Sequence, residues 1–259
     1  MLRWKSLVFA IALAFWSALP RPAAAVDLAL VLLNDVSRSM DESEFALVKA
    51  GYRAAFADPG VIAALIGNSN GIAVAYVEFS GKDEIQLVQD WQLLTDAASA
   101  RAFGEAIAEA PRSSAGNTAL SAGIAEAARL LLDSDFGAAR RVIDVVSDHP
   151  SDGGRSAAIR DAAVAAGITI NALAIIDERP IGTIDGQLTY SSARWSSESV
   201  VEFYLRNVVG GPGSFAVEAR DFAVFGEALK RKLLLEFIAN PAPGEMDGAV
   251  FKIAAASGN

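Results

Sequence analysis

Residues 31–41 have the sequence Val-Leu-Leu-Asn-Asp-Val-Ser-Arg-Ser-Met-Asp, in which an apolar run gives way to a carboxylate and two hydroxyls. The apolar run extends back to Leu28, and a run bounded in this way is typical of a buried parallel strand. Open α/β sheets bind their ligands at the carboxyl ends of such strands. Asp35, Ser37 and Ser39 occupy alternate positions, so three side-chain oxygens can turn toward one point. Hard divalent cations require oxygen ligands of this kind.

Predicted strands and helices alternate along the rest of the chain. Apolar runs predict strands at 72–79, 142–146, 168–176 and 214–217, and residues 84–91 show the alternation of a half-exposed edge strand. Apolar residues at helical spacing predict helices at 41–57, 97–108, 119–132, 156–166, 197–208 and 222–238. This order predicts a doubly wound α/β fold with a mostly parallel, Rossmann-like sheet and one antiparallel edge strand.

Residues 1–25 predict a secretory signal peptide. Two basic residues, Arg3 and Lys5, precede an apolar stretch at 7–19, and three consecutive alanines at 23–25 supply the small residues of a cleavage site. The apolar stretch is short for a membrane span, so an uncleaved amino-terminal anchor is the less favoured alternative. We therefore expect a periplasmic or secreted protein that does not span the membrane once the leader is removed.

The rest of the chain is long enough for one well-buried α/β domain, predicted at residues 26–239 and followed by a loosely ordered tail at 240–259. Removal of the leader would take away three basic residues and no acid, and would change the formal net charge from −9 to −12. This acidic balance argues against a nucleic-acid partner, because phosphate binding depends on clustered Lys and Arg. The chain has no cysteine and a single histidine, which argues against a structural zinc site.

Two further polar turns accompany the loop that begins at Asp35. Gly116-Asn117-Thr118 precedes a predicted helix, and Asp148 follows a later apolar strand. In this order the three motifs resemble the metal-ion-dependent adhesion site of von Willebrand factor type A domains, and the resemblance covers most of the chain after the leader. Within that superfamily, residues 35–39 and 207–213 are most similar to an uncharacterised family of exported bacterial A-domain proteins.

The resemblance implies a binding module that holds a Mg²⁺ ion, or Mn²⁺ or Ca²⁺ in its place. It implies that Ser37, Ser39 and Thr118 contribute hydroxyl oxygens, and that Asp35 and Asp148 act directly or through water. Mg²⁺ takes six oxygens in a near-octahedral array and keeps waters that a ligand can displace. Because only two carboxylates contribute, directly or through water, the ion keeps positive character, and a carboxylate of a protein partner can complete its shell.

Four residues near the motifs are weaker candidates for contact with the partner: Asn117, His149, Tyr190 and Trp195. The last two belong to a polar insertion at 177–196, which leaves the carboxyl end of a strand and is expected on the same face as the motifs. His149 stands where the family usually has glycine after the aspartate. As the chain's single histidine, it is interpreted as a surface residue in preference to a ligand or a general base.

Two polar residues occupy positions where apolar ones are usual. Asn34 replaces the apolar or small residue that generally precedes the first aspartate of the motif. Asp144 lies inside an apolar strand, where a carboxylate must find a partner. We interpret Asp144 as a buried structural group, because it projects from the middle of the strand and not from its end.

Two other functions remain open at this point. A phosphohydrolase similar to the haloacid dehalogenases would also place an aspartate after the first strand, but it would carry a second one where this chain has Ser37. A scaffold domain whose site is vestigial is the other alternative, ranked between the binding module and the enzyme. Residues 67–71 match the Gly-x-Ser-x-Gly of serine hydrolases but precede a strand, so they are predicted to form a turn.

Overall fold

The computed structural model describes residues 24–149, 155–176, 180–184, 187–190, 200–238 and 248–253. The strands are β1 (Ala24–Asp35), β2 (Ile72–Phe79), β3 (Ile85–Leu94), β4 (Phe136–Ser147), β5 (Ile168–Ile175), β6 (Pro180–Ile184), β7 (Gln187–Tyr190), β8 (Phe215–Ala219) and β9 (Ala249–Ile253). The helices are α1 (Glu42–Ala57), α2 (Pro59–Ile66), α3 (Ala97–Glu109), α4 (Leu120–Asp133), α5 (Arg155–Ala165), α6 (Val200–Asn207) and α7 (Phe225–Ile238), with a 3₁₀ turn at Phe222–Val224.

Within the described residues, one seven-stranded sheet has the order β3-β2-β1-β4-β5-β8-β9. Every neighbouring pair is parallel except β2 with β3, and β3 lies at one edge. The prediction of a mostly parallel sheet with one antiparallel edge strand is therefore confirmed. The β6–β7 hairpin lies within the predicted polar insertion and forms a separate two-stranded ladder.

The central strand β1 pairs with β2 on one side and β4 on the other, and residues 28–33 are fully buried. Successive side chains of a strand point to opposite faces, so these residues divide between two cores. Leu28, Leu30 and Leu32 pack in the core that includes residues of α1, α2, α3 and α7. Ala29, Val31 and Leu33 pack in the core that includes residues of α4, α5 and α6. Helices thus cover both faces, as the doubly wound prediction requires.

Helix α1 begins as its sequence indicates. The Asp41 carboxylate accepts from the Glu44 backbone N–H at 2.9 Å, and the Glu44 carboxylate accepts from the Asp41 N–H at 2.7 Å. This reciprocal capping box satisfies two N–H groups that have no partner within the helix. Farther along, Gly51 allows α1 to approach α7: a Cβ there would lie 2.5 Å from Cδ1 of Phe225.

The segment Asp58-Pro59-Gly60 ends α1, as predicted, but it also begins the unpredicted helix α2. Asp58 follows the last residue of α1 and accepts from the N–H groups of Gly60 and Val61 at 2.8 and 3.1 Å. Pro59 occupies the first helical turn, where its missing N–H has no cost. The same three residues therefore act as a stop signal and as a start signal.

One strand prediction needs correction, and one strand lies in the tail, where none was predicted. Strand β4 begins at Phe136 and not at Val142, because its first half pairs with the start of β1 although it contains Arg140 and Arg141. The tail predicted to be loosely ordered contains strand β9, which pairs in parallel with β8. Phe251 of this strand packs edge-on against Phe215, with ring centroids 5.9 Å apart.

The amino-terminal prediction falls mostly outside the described residues. Strand β1 begins at Ala24, so cleavage after Ala25 would shorten it by two residues and leave the pairing from Val26 onward. In the portion of the chain that the structure describes, no helix has the length and apolar character needed to cross a membrane.

Candidate functional site

Three connecting segments meet at the carboxyl edge of the sheet. They are the first loop (residues 36–41, between β1 and α1), the second loop (residues 110–119, between α3 and α4) and the end of β4 with the two residues after it. The N–H of Arg38 donates to the carbonyl of Gly116 at 3.0 Å, and this bond joins the first loop to the second. The N–H of Ala119 donates to the carbonyl of Ser80 at 2.7 Å and fixes the second loop to the end of β2.

Four of the five predicted ligands form one continuous row of oxygens. The Thr118 hydroxyl donates to Ser37 Oγ at 2.9 Å, and Ser37 Oγ lies 3.0 Å from Ser39 Oγ. The Ser39 hydroxyl donates to Asp148 Oδ1 at 2.9 Å. The structure therefore brings together residues up to 111 positions apart, counted from Ser37 to Asp148. We call these four residues, together with Asp35, the candidate cation site.

The spacing of this row fits a small hard cation. Mg²⁺ binds oxygens at 2.0–2.1 Å, and adjacent ligands of a regular octahedron at that radius lie about 2.9 Å apart. The three observed oxygen–oxygen separations are 2.9, 3.0 and 2.9 Å. Among the described residues, no group of three or more Asp, Glu, His or Cys side chains is placed to hold a metal ion. The row itself offers three hydroxyls and one carboxylate. Such a set suits an ion that keeps part of its water shell.

Asp35 lies beneath the row and is fully buried. Its Oδ1 accepts from the Ser37 N–H at 2.8 Å, and its Oδ2 accepts from the Ser147 hydroxyl at 2.6 Å. Burial raises the pKa of Asp35, although its hydrogen bonds and the nearby charge of Arg112 act in the opposite direction. In this arrangement Asp35 orients the first loop and the end of β4 from below.

Asp148 is nearly fully buried, and its neighbour His149 is half-buried. The His149 carbonyl accepts from the Tyr204 hydroxyl at 3.0 Å, and burial lowers the pKa of the imidazole. The imidazole therefore lies at the surface but is only partly exposed. A tyrosine of α6 holds the backbone where the related motif usually has glycine.

The weaker predicted contacts are only partly within the described structure. Asn117 is exposed next to Thr118, at the rim of the row. Tyr190 is the last residue of β7, in the hairpin of the insertion, and its side chain lies outside the described part. Trp195 lies outside the described residues altogether. The predicted turn at 67–71 is found between α2 and β2, without a helix after its serine.

Three residues at the site were not assigned a role from the sequence. Arg112 donates to carbonyls of the first loop, Ser147 donates to Asp35, and Tyr204 donates to the residue after Asp148. The sequence did contain an indication for Ser147, since this residue immediately precedes Asp148 at the end of a strand. The sequence contained no such indication for Arg112 or Tyr204, because their partners are distant in the sequence.

A second buried polar cluster lies on the α7 side of the sheet and includes Asp144. Lys232 Nζ lies 2.6 Å from Asp144 Oδ1 and 3.1 Å from Glu236 Oε1, and Asn171 donates to the same Glu236 oxygen at 2.7 Å. The four side chains are at most 2% exposed. Burial raises the pKa of Asp144 to about 7, with Lys232 opposing the rise. The interpretation of Asp144 as a buried structural group agrees with this environment.

A family model described as "Protein of unknown function (DUF1194)" matches residues 25–241. The match covers most of the chain, and the chain therefore belongs to this family. Comparison with curated proteins gives no significant match.

Solved structures identify the fold as that of von Willebrand factor type A domains. Similar structures include a von Willebrand factor type A protein from Catenulispora acidiphila (TM-score 0.55, 17% identity) and the pilus adhesin SpaC from Lactobacillus rhamnosus GG (0.54, 15%). Proximal thread matrix protein 1 from the mussel byssus, described with a zinc-occupied MIDAS (metal-ion-dependent adhesion site) motif, is also similar (0.50, 16%). Each match covers 82% of this chain and, respectively, 43%, 31% and 47% of the other chain, so this chain spans less than half the length of each.

Proposed function

We propose that this chain is an exported binding module that holds a divalent cation and docks an acidic or other oxygen-bearing group of a protein partner on it. One observation carries the proposal: side-chain oxygens of Thr118, Ser37, Ser39 and Asp148, from three separate segments, converge in one row. Neighbouring oxygens in this row lie 2.9–3.0 Å apart, a spacing that suits hydrogen bonds and also adjacent ligands of an octahedral Mg²⁺ ion. Mn²⁺ and Ca²⁺ are the alternative ions. A matrix protein of similar fold is described with zinc in its MIDAS motif, which supports a metal site on this fold.

The charge of the donor set supports recognition of an anionic group. Among the described residues we assign two carboxylates to the site, and one of them, Asp35, has both oxygens engaged by protein donors. An ion held largely by neutral hydroxyls and water keeps most of its positive charge, and a carboxylate can replace one of its waters. Ser39 and Asn117 are exposed, so the row is accessible from the solvent side.

The same geometry gives no support to the phosphohydrolase alternative. An aspartyl nucleophile must present a carboxylate oxygen to its substrate, whereas Asp35 is fully buried and hydrogen-bonded through both oxygens. The similar structures named above are described as a von Willebrand A protein, an adhesin and a matrix protein, and none of them as an enzyme. The scaffold alternative differs from our proposal in one respect, since its partner binding would survive removal of the ion.

Displacement of water from bound Mn²⁺ tests the docking step. Protein-bound Mn²⁺ accelerates the relaxation of water protons, and a carboxylate that replaces a bound water reduces this effect. We expect glutarate to lower the relaxation rate of the Mn²⁺-loaded protein, whereas chloride at equal ionic strength leaves it unchanged. A rate that stays constant at saturating glutarate would contradict carboxylate docking.

The insertion at 177–196 is proposed to select the partner, with Tyr190 and Trp195 as candidate anchors. Replacing it with a short Gly-Ser linker should abolish capture of the partner from the exported protein fraction in Mg²⁺, while Mn²⁺ binding persists. Capture that is unchanged in the shortened protein would refute this assignment. Capture by the intact protein that persists in EDTA would favour the scaffold alternative.

A further inference from the structure

The guanidinium of Arg112 closes over the backbone of the first loop. Its Nη2 donates to the carbonyls of Val36, Ser37 and Met40 at 2.9, 2.8 and 2.8 Å, and its Nε donates to Val36 at 3.2 Å. Its Nη1 lies 3.2 Å from a carboxylate oxygen of Glu42, at the start of α1. The Arg112 side chain is only 12% exposed, so its bonds to the carbonyls are partly shielded from water, whereas the Glu42 side chain is 86% exposed.

A planar guanidinium suits this task because it presents five N–H donors in a fixed fork. The carbonyls that it gathers belong to a stretch of five residues that also contains Ser37 and Ser39. The Arg112 guanidinium also stacks near the Phe45 ring, 5.4 Å from the ring centroid, which further restricts its position. The bonds therefore fix the curvature of the loop that carries two of the proposed hydroxyl ligands.

Arg112, which makes these bonds to the first loop, belongs to the second loop, which also carries Thr118. The second loop is itself anchored, because the N–H of Ser113 donates to Oε2 of the buried Glu78 at 2.9 Å. The other oxygen of that carboxylate is paired with Lys49 at 2.6 Å. Arg112 thus connects the first loop to a segment that is fixed to the buried core.

We propose that Arg112 is a positioning residue for the candidate cation site. It holds the first loop at the distance from the second at which the hydroxyls of Ser37, Ser39 and Thr118 can share one ion. This inference rests on the proposed cation binding. It assigns no contact between Arg112 and the ion.

The direction in which Mg²⁺ affinity changes when Arg112 is removed separates positioning from simple electrostatics. Arg112 is a positive charge close enough to Asp35 to influence its pKa. A nearby positive charge repels a cation, so its removal would tighten Mg²⁺ binding if charge were its main contribution. If Arg112 acts by positioning, its removal weakens Mg²⁺ binding despite the relief of repulsion. If it only stabilises the fold, Mg²⁺ affinity does not change.

The test compares Mg²⁺ affinity, measured by isothermal titration calorimetry, in wild type, Arg112→Gln and Arg112→Lys. Arg129→Gln is the matched control, because Arg129 is a half-exposed arginine of α4 whose ion pairs lie within its own helix. We expect the Mg²⁺ affinity to fall at least tenfold in Arg112→Gln and clearly in Arg112→Lys, which keeps the charge and loses the fork. The control should stay within twofold of wild type.

A second measurement does not depend on the ion. In EDTA, amide hydrogen exchange of residues 36–40 should be faster in both Arg112 variants than in wild type, with exchange in the β2 core unchanged. Equal Mg²⁺ affinity, tighter Mg²⁺ binding or unchanged exchange in folded variants would overturn the inference. If Arg112→Gln does not fold, the Mg²⁺ affinity and the amide exchange of Arg112→Lys test the inference alone. Wild-type protein that binds no Mg²⁺ would overturn the proposed function itself, whereas the other outcomes leave that function standing.

Discussion

Replacement of Asp144 by asparagine should change how the stability of the domain depends on pH. The carboxyl group is fully buried, and its pKa is about 7, against an ordinary value of 3.8. Between these values the folded protein keeps a proton that the unfolded chain releases. Stability therefore falls as the pH rises from about 4 through 7, because ionisation is easier in the unfolded state.

The size of the effect follows from the separation of the two pKa values. Each pH unit between them corresponds to about 1.36 kcal/mol. Integrated from pH 5 to pH 8, the single Asp144 carboxyl lowers the free energy of unfolding by about 2–3 kcal/mol. Asparagine has the shape of the protonated acid and does not titrate. Relative to wild type, Asp144→Asn should therefore be more stable at pH 8 than at pH 5 by about this amount.

The assay is urea denaturation followed by circular dichroism at several pH values from 5 to 8, with EDTA present. The quantity of interest is the difference between the two proteins at each pH. Burial also raises the pKa of Asp35 and lowers that of His149, but both residues are present in each protein and their contributions cancel. Exposed Asp133→Asn serves as the control for the loss of a surface carboxylate. The reasoning is refuted if the difference in the free energy of unfolding between wild type and Asp144→Asn does not change with pH, or changes in the opposite direction.

Three substitutions test the packing between α1 and α7 and at the far edge of the sheet. Gly51→Ala should lower the free energy of unfolding by about 1–3 kcal/mol, because its Cβ would lie 2.5 Å from the ring of Phe225. Gly226→Ala, whose Cβ meets only an ordinary contact at 3.6 Å, should be neutral or stabilising; equal effects of the two changes in urea denaturation would contradict the packing. Phe251→Ala should cost about 1–2 kcal/mol by removing a half-buried ring from Phe215, and a change within about 0.5 kcal/mol would argue against β9 as part of the sheet.

The parts of the fold that the sequence predicted best are those in which local pattern and tertiary environment agree. Strand β2 has the predicted bounds, because a strand buried on both faces forms a continuous apolar run. The first half of β4 has no such run and is a strand because β1 lies beside it. Strand β9 pairs with β8, and its five residues, Ala249–Ile253, are a short, mostly apolar run that was not predicted as a strand because the tail around it is rich in Pro and Gly.

The candidate site likewise contains residues that the sequence predicted and residues that it did not. Ser37, Ser39 and Asp148 could be grouped in advance, since parallel strands bring their carboxyl ends to one edge of the sheet. Thr118 follows a helix and was added to them by the resemblance to the metal-ion-dependent adhesion site. The role of Arg112 could not, because its partners lie at least 70 residues away and its donors act on backbone carbonyls that no side-chain motif marks. The half-buried state of His149 was missed for the same reason, since Tyr204 comes from a helix 55 residues later.

Calorimetric titration of the purified protein with Mg²⁺ tests the central claim most directly. We predict binding of one ion, with the affinity reduced at least tenfold in Thr118→Val, which removes one hydroxyl and keeps the shape of the side chain. Thr169→Val, whose hydroxyl bonds to the Pro212 carbonyl at the opposite end of the strands, should match wild type. An absence of binding heat at millimolar Mg²⁺ and Mn²⁺, or equal affinity in both threonine variants, would contradict the account.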